Sequence, residues 1–206
     1  MYIDLTMPMR PGMIFRKGSP PLDVHREDFS HEEEGTYSMS MVTTPVHIGT
    51  HIDIMDGAVE LSPERFIGRG KLIDVTATAH RNGAVISFDA CGGIEEVGED
   101  DFVFFHTGWD KYAETETYFH HPELSRGVIE FLIERKINMA GIDALGLGLG
   151  KNHGTFDRLL ADNSMYAVEN LWNLGRLPAG KDFTVYCFPI RLPGVEALPA
   201  RIVAEV

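Results

Sequence analysis

The chain has 206 residues, 44% of them hydrophobic, enough for one sizeable core, so a single domain spanning 1–206 is expected. A formal net charge of −13 argues against nucleic acid and anionic membrane surfaces as partners, because both require a cationic face. Cys91 and Cys187 form no disulfide framework, no apolar run reaches the roughly 18 to 20 residues that span a bilayer, and Met1-Tyr2-Ile3-Asp4 is not a basic and apolar leader; a soluble cytoplasmic protein is expected.

Taken in chain order, β-branched and aromatic runs predict strands over 2–6, 37–42, 46–54, 70–75, 102–106, 139–142 and 184–189. Residues 25–34, with His25, Arg26, Glu27, Asp28, His31, Glu32, Glu33 and Glu34, read instead as a solvated acidic loop or edge. Ser62-Pro63 opens a short helical turn over 63–66. Ser125 caps a helix running through Val128, Phe131, Leu132 and Arg135, and Thr155 caps a second over 156–161. The mix predicts an α/β domain with a mixed sheet rather than a regular doubly wound one. Cys187 falls in the apolar pattern of 183–188, which suits a buried, inert thiol.

The run 46–54 carries the chemistry. In a strand, Val46, Ile48, Thr50, Ile52 and Ile54 share one face, while His47, His51 and Asp53 share the other. A helix would swing Asp53 about 200° from His51, so only the extended form gathers all three. Gly49, on the same face between the histidines, leaves room for an ion or a substrate. Two imidazoles and one carboxylate suit zinc or manganese, and three protein ligands leave positions open for water or substrate, as in a catalytic site.

Other chemistries find no support. The glycine stretch 146–154 meets neither the phosphate-loop spacing nor the dinucleotide pattern, and no G-x-S-x-G nucleophile elbow is present. Phe15 and Trp109 are candidates for an aromatic, substrate-binding wall.

His47-Ile48-Gly49-Thr50-His51-Ile52-Asp53 resembles the H-x-G-T-H-x-D signature of the metal-dependent cyclase family, of the bacterial kynurenine formamidase and isatin hydrolase type. Matches continue in order through Tyr2-Ile3-Asp4-Leu5-Thr6, His106-Thr107-Gly108-Trp109, Gly141-Ile142-Asp143, Glu169-Asn170-Leu171, Phe188-Pro189-Ile190-Arg191-Leu192-Pro193-Gly194 and Pro199-Ala200-Arg201-Ile202-Val203-Ala204. The resemblance implies a compact α/β domain with a swivelling, barrel-like mixed sheet and flanking helices, assembled as a homodimer or homotetramer. It also implies hydrolysis of an amide, formamide, cyclic imide or lactone bond of a small-molecule substrate by water activated on one or two Zn²⁺ or Mn²⁺ ions per chain.

His47, His51 and Asp53 would then hold the first ion. In such relatives a second ion is held by the bridging aspartate, a later histidine and a glutamate about a dozen residues beyond, and Glu169 matches the glutamate. Asp157 stands twelve residues before it and His153 sixteen. Both stay open as the remaining ligand, His153 being preferred for its place in the glycine-bearing loop. One departure is plain: the signature continues as x-P-x-H, and this chain has Met55 and Gly57 at those places. Gly57 keeps the parity of the histidines, so a strand that persisted would aim it at the ion. Without that histidine, proton transfer falls to Asp56, to Glu169 or to a second metal-bound hydroxide. A metal-dependent cyclase or lyase, or a non-catalytic metal- or metabolite-binding protein, are the rival readings.

Overall fold

Alternation along the central strands sorts side chains onto two faces, and the sheet closes on itself, so one face becomes an interior. A computed structural model describes residues 1–206. Twelve strands run in chain order as β1 (Tyr2–Asp4), β2 (Asp23–His31), β3 (Gly35–Thr43), β4 (His51–Asp53), β5 (Ile67–Asp74), β6 (Val85–Ile86), β7 (Phe102–His106), β8 (Glu123–Leu124), β9 (Met139–Ile142), β10 (Tyr166–Glu169), β11 (Phe183–Pro189) and β12 (Ala197–Glu205). The helices are α1 (Thr76–Ala79), α2 (Arg126–Glu134) and α3 (Asn152–Ala161). No helix is long and apolar enough to cross a membrane.

The main sheet has the order β1-β12-β11-β5-β7-β9-β10-β4, and an additional pairing of β12 with β4 closes seven of these strands into a barrel. Strands β5, β7, β9 and β10 run parallel, and the remaining contacts are antiparallel. Phe102, Phe104, Met139, Val168, Ile52, Val185, Cys187, Ile202 and Ala204 pack together inside the barrel. Their odd-numbered or even-numbered neighbours Val103, Phe105, Ala140, Ile142 and Ala167 face outward, where Val128, Ile129 and Leu132 of α2 and Phe156 and Leu160 of α3 cover them. This is the period of two that a strand imposes. Glycines make room for the interior aromatics: a Cβ on Gly141 would lie 2.6 Å from both Leu171 and Phe104.

The mixed α/β class and barrel-like sheet agree with the expectation, and β7 and β9 match it residue for residue. Three elements differ. The strand expected over 46–54 shrinks to β4, because Gly49 turns the chain with φ +50, a conformation that costs other residues strain. Most of the supposed acidic loop is strand β2, paired antiparallel with β3 along its full length, and the two form a hairpin exposed over most of both strands. Helix α3 begins at Asn152, and Thr155 is not its cap but lies inside it, donating its hydroxyl to the Lys151 carbonyl. Strands β10 and β12 lay outside the sequence expectation.

The barrel interior admits little extra volume. Gly141→Ala should destabilise the chain by about 1–3 kcal/mol through overpacking against Leu171 and Phe104. Chemical denaturation with an unchanged m-value would read this directly.

Candidate metal centre

Three residues of β4 sit between two neighbours, and this fixes the site. Glu169 of β10 pairs opposite His51, and Ala167 opposite Asp53; on the other edge β12 places Pro199 and Ala197 against the same two residues. Cross-strand partners share a face, so His51, Asp53 and Glu169 all point outward from the barrel, into the space covered by α3. His47 reaches the same space from the irregular segment before β4 rather than from the strand.

The donor atoms converge. His47 Nδ1 and His51 Nε2 are 3.2 Å apart. Asp53 Oδ1 lies 2.9 Å from the first and 3.3 Å from the second, yet it has no hydrogen-bond partner, because neither contact is aligned as a hydrogen bond. The two imidazoles are thus within hydrogen-bonding reach of each other, while the Asp53 oxygen is aimed into the space between them without a partner, as around a cation. On the far side His153, Asp157 and Glu169 form a second triad whose donor atoms lie within 4.8 Å of one another. Glu169 joins the two triads: Oε2 is 3.4 Å from His51 Nε2, and Oε1 is 3.6 Å from His153 Nε2. Gly146 is required beneath them, since a Cβ there would overlap the His153 ring and stand 2.8 Å from Glu169 Oε1.

Hydrogen bonds behind the donors hold their orientation. His51 Nδ1 donates to the Gly49 carbonyl at 2.9 Å, which places the proton on Nδ1 and leaves Nε2 with its lone pair toward the cluster. The same carbonyl accepts from Asn170 Nδ2, while Asn170 Oδ1 accepts from the Tyr118 hydroxyl and the Asn170 carbonyl accepts from Thr50 Oγ1. Each of these groups is buried. Gly49 itself leaves room for Met9, whose sulfur would lie 2.9 Å from an added Cβ, rather than for an ion.

The electrostatics are those of a site built for positive charge. Burial would push the imidazolium of His51 down, but the Asp53 and Glu169 carboxylates outweigh it and hold His51 well above its ordinary value. Burial likewise works to raise Asp53, and His51 and His47 overcome it and keep that carboxyl below the usual range. Asp157 and Glu169 are pushed up, first by burial and then by neighbouring carboxylates. Neither Lys nor Arg pairs with any of the three carboxylates, and one oxygen of each, Asp53 Oδ1, Asp157 Oδ1 and Glu169 Oε1, is buried without a hydrogen-bond partner. Divalent cations fit this donor set.

The Cyclase family model matches residues 3–148, more than half of the chain. The chain belongs to the Cyclase family. This cyclase-family chain is 24% identical over 221 residues to the isatin hydrolase of Roseibium aggregatum, covering 93% of this chain and 84% of that protein. It is 22% identical over 219 residues to the kynurenine formamidase of Bacillus cereus, covering 98% and 96%. Its fold is that of the crystal structure of an isatin hydrolase bound to the product analogue thioisatinate, with a TM-score of 0.83 at 21% identity, over 100% of this chain and 92% of the other.

Four sequence expectations for this cyclase-family site are corrected. Asp56 is exposed, and its carboxylate accepts the Ala58 amide in a turn, away from the imidazoles. Gly57 does not face the centre: Met55 takes φ +60, which breaks the strand parity, and a Cβ on Gly57 would sit 2.6 Å from the Gly194 carbonyl carbon. Phe15 and Trp109 are core side chains, and Trp109 donates Nε1–H to the Tyr118 carbonyl rather than lining an open wall. One group escaped sequence reasoning altogether: Glu196 Oε1 lies 3.3 Å from His47 Nε2. It stands next to β12, far from any local motif, and only the pairing of β12 with β4 brings it near.

Protons and cations compete here. Folded-state values raised above the unfolded ones mean that the native chain binds those protons more tightly, so the stability from Glu169, Asp157 and His51 is present at acidic pH and lost as pH rises through the raised values. Asp53 acts oppositely and matters only in strong acid. Metal-free protein should therefore lose stability from about pH 5 upward, whereas divalent cations, which need deprotonated ligands, stabilise more in the same direction. Thermal unfolding with EDTA and with excess Zn²⁺ or Mn²⁺ should show a gap in Tm that widens from about pH 5 to about pH 8. A constant gap would contradict the assignment.

Proposed function

We propose that this chain is a metal-dependent hydrolase that cleaves an amide, formamide, cyclic imide or lactone bond of a small molecule, using zinc or manganese held by His47, His51, Asp53, His153 and Glu169. The observation that carries the reading is the pair of imidazole–carboxylate triads joined through Glu169, with buried, unpartnered carboxylate oxygens facing into them. A divalent cation there supplies Lewis-acid polarisation of a carbonyl and acidifies water.

The chain's own groups do the rest. Side chains of His47 and His153, 24% and 14% exposed, are the two members that reach solvent, so substrate approaches from their side while His51, Asp53, Asp157 and Glu169 stay dry. The Gly49 carbonyl holds His51 in one tautomer through its bond to Nδ1. Asp56 is committed to the Ala58 amide and Gly57 has no side chain, so of the groups offered Glu169 is the one at the centre; it can take a proton at Oε1 when a single cation, at the first triad, leaves that oxygen free. Glu196 beside His47 Nε2 orients that ring at the open edge.

Purified protein assayed against N-formyl arylamines, isatins, lactones and cyclic imides, with zinc and with manganese, should turn over at least one class, and turnover should vanish with chelator and in His51→Ala. Stoichiometric metal with no turnover across the panel would replace the hydrolase reading with the metal-binding one.

The same reading takes the protein to be a homodimer or homotetramer. An isolated two-stranded ribbon is marginal in water, and β2–β3 exposes Tyr37, Met39 and Val42, which supports a second copy against it. Light scattering should give a mass of at least two chains; a monomer would refute the assembly and leave the hydrolase reading standing.

A further inference from the structure

The second triad contains one more carboxylate than the resemblance calls for. The sequence offered His153 and Asp157 as alternatives, sixteen and twelve residues before Glu169, but the structure does not choose between them. Both lie on α3, four residues apart and therefore one turn apart on the same face. That face packs on β10, and the donor atoms of both residues meet those of Glu169 within 4.8 Å.

Asp157 has no structural task that accounts for it. Its side chain is 1% exposed, Oδ1 has no hydrogen-bond partner, and no Lys, Arg or His makes an ion pair with it. An uncompensated buried carboxylate costs several kcal/mol in an apolar setting, so a helix interior position of this kind is normally held by Leu or Ala. Its position at the protein interior, turned toward a glutamate and an imidazole, is that of a ligand. The charges agree with a cation pair. Asp53, Asp157 and Glu169 bring three negative charges into one dry cluster; one divalent cation leaves it negative, while two leave a single positive charge for an anionic oxygen of water or substrate to neutralise.

We propose, building on the hydrolase reading above, that Asp157 is a sixth protein ligand of a two-cation centre and that it makes the second position less biased toward zinc, and relatively more favourable to manganese, than the first. The first position has two imidazoles and one carboxylate, the second one imidazole and two carboxylates. Oxygen donors suit manganese, whereas imidazole suits zinc, so the two triads differ in hardness, with Glu169 belonging to the second and standing between them. His153 and Asp157 are thus partners rather than substitutes for one another.

The test uses the full chain, stripped with chelator and titrated with Mn²⁺ or Zn²⁺ alone, with metal content by elemental analysis and the manganese pair read by EPR. Wild-type protein should bind two Mn²⁺ per chain and show an exchange-coupled spectrum. Asp157→Asn, nearly isosteric and checked by circular dichroism, should keep one Mn²⁺ with an uncoupled six-line spectrum and bind the second at least about 10-fold more weakly. Asp157→His should retain two sites but shift the second toward zinc by a similar factor. Two manganese ions bound by Asp157→Asn with wild-type affinity would overturn the proposal while leaving the hydrolase reading intact. Wild-type protein that binds neither metal would sink that reading itself, a result the variant cannot mimic.

Discussion

The placement of everything else depends on one closure, the pairing of β12 with β4. β4 is three residues long and cannot hold itself in a sheet, yet it carries His51 and Asp53. It is kept straight only because β10 hydrogen-bonds along one edge and the first three residues of β12 along the other. β12 is long enough to serve β4 at its start and β11 and β1 further on, so one strand both seals the barrel and presents two donors. The interior is filled by Phe102, Phe104 and Phe183 over Gly68, Gly70 and Gly141, which leaves no slack for β4 to shift register. A one-residue slip would turn His51 and Asp53 into the barrel and Ile52 out toward the donor cluster.

On that scaffold, electrostatics and burial are set against each other deliberately. Three carboxylates share a dry wall without a lysine or arginine beside them, a costly arrangement in the metal-free state. The neighbouring network from Tyr118 through Asn170 to the Gly49 carbonyl is fully satisfied. The contrast separates the two kinds of polar group: those that orient ligands have found their partners inside the protein, and those that face the centre have not. Imperfect hydrogen bonding at Asp53, Asp157 and Glu169 is therefore information about charge that belongs between them.

Much of this was legible in the sequence, and the failures have physical causes. His51 and Asp53 follow the period of a strand, so their common face could be read from residue types alone. His47 arrived at the same place by a different route, through a segment turned by Gly49, and agreement there owed nothing to strand parity. β12 was hidden because Pro199, a residue disfavoured in strands, stands within it, although its even-numbered residues Leu198, Ala200, Ile202 and Ala204 alternate regularly into the interior. The hairpin β2–β3 was half missed since its strands bury almost nothing and leave no hydrophobic pattern to read. Helix α3 concealed the joint use of His153 and Asp157, because spacing to Glu169 treats them as competitors while a helical turn makes them neighbours.

Gly57 and Glu196 are linked through the backbone of one loop. Where the family signature has a histidine, the glycine lets the backbone of 194–195 close in, and the Gly194 amide bonds to the Gly57 carbonyl at 3.1 Å. The same loop is drawn tight by Ile54 and Met55, whose amides both donate to the Glu196 carbonyl. Held there by its backbone, Glu196 has its carboxylate 3.3 Å from His47 Nε2 at the solvent-facing edge of the centre. A side chain at position 57 would push this loop outward and take Glu196 from His47. The carboxylate at the open edge thus depends on the glycine at position 57, through a single close approach of two backbones.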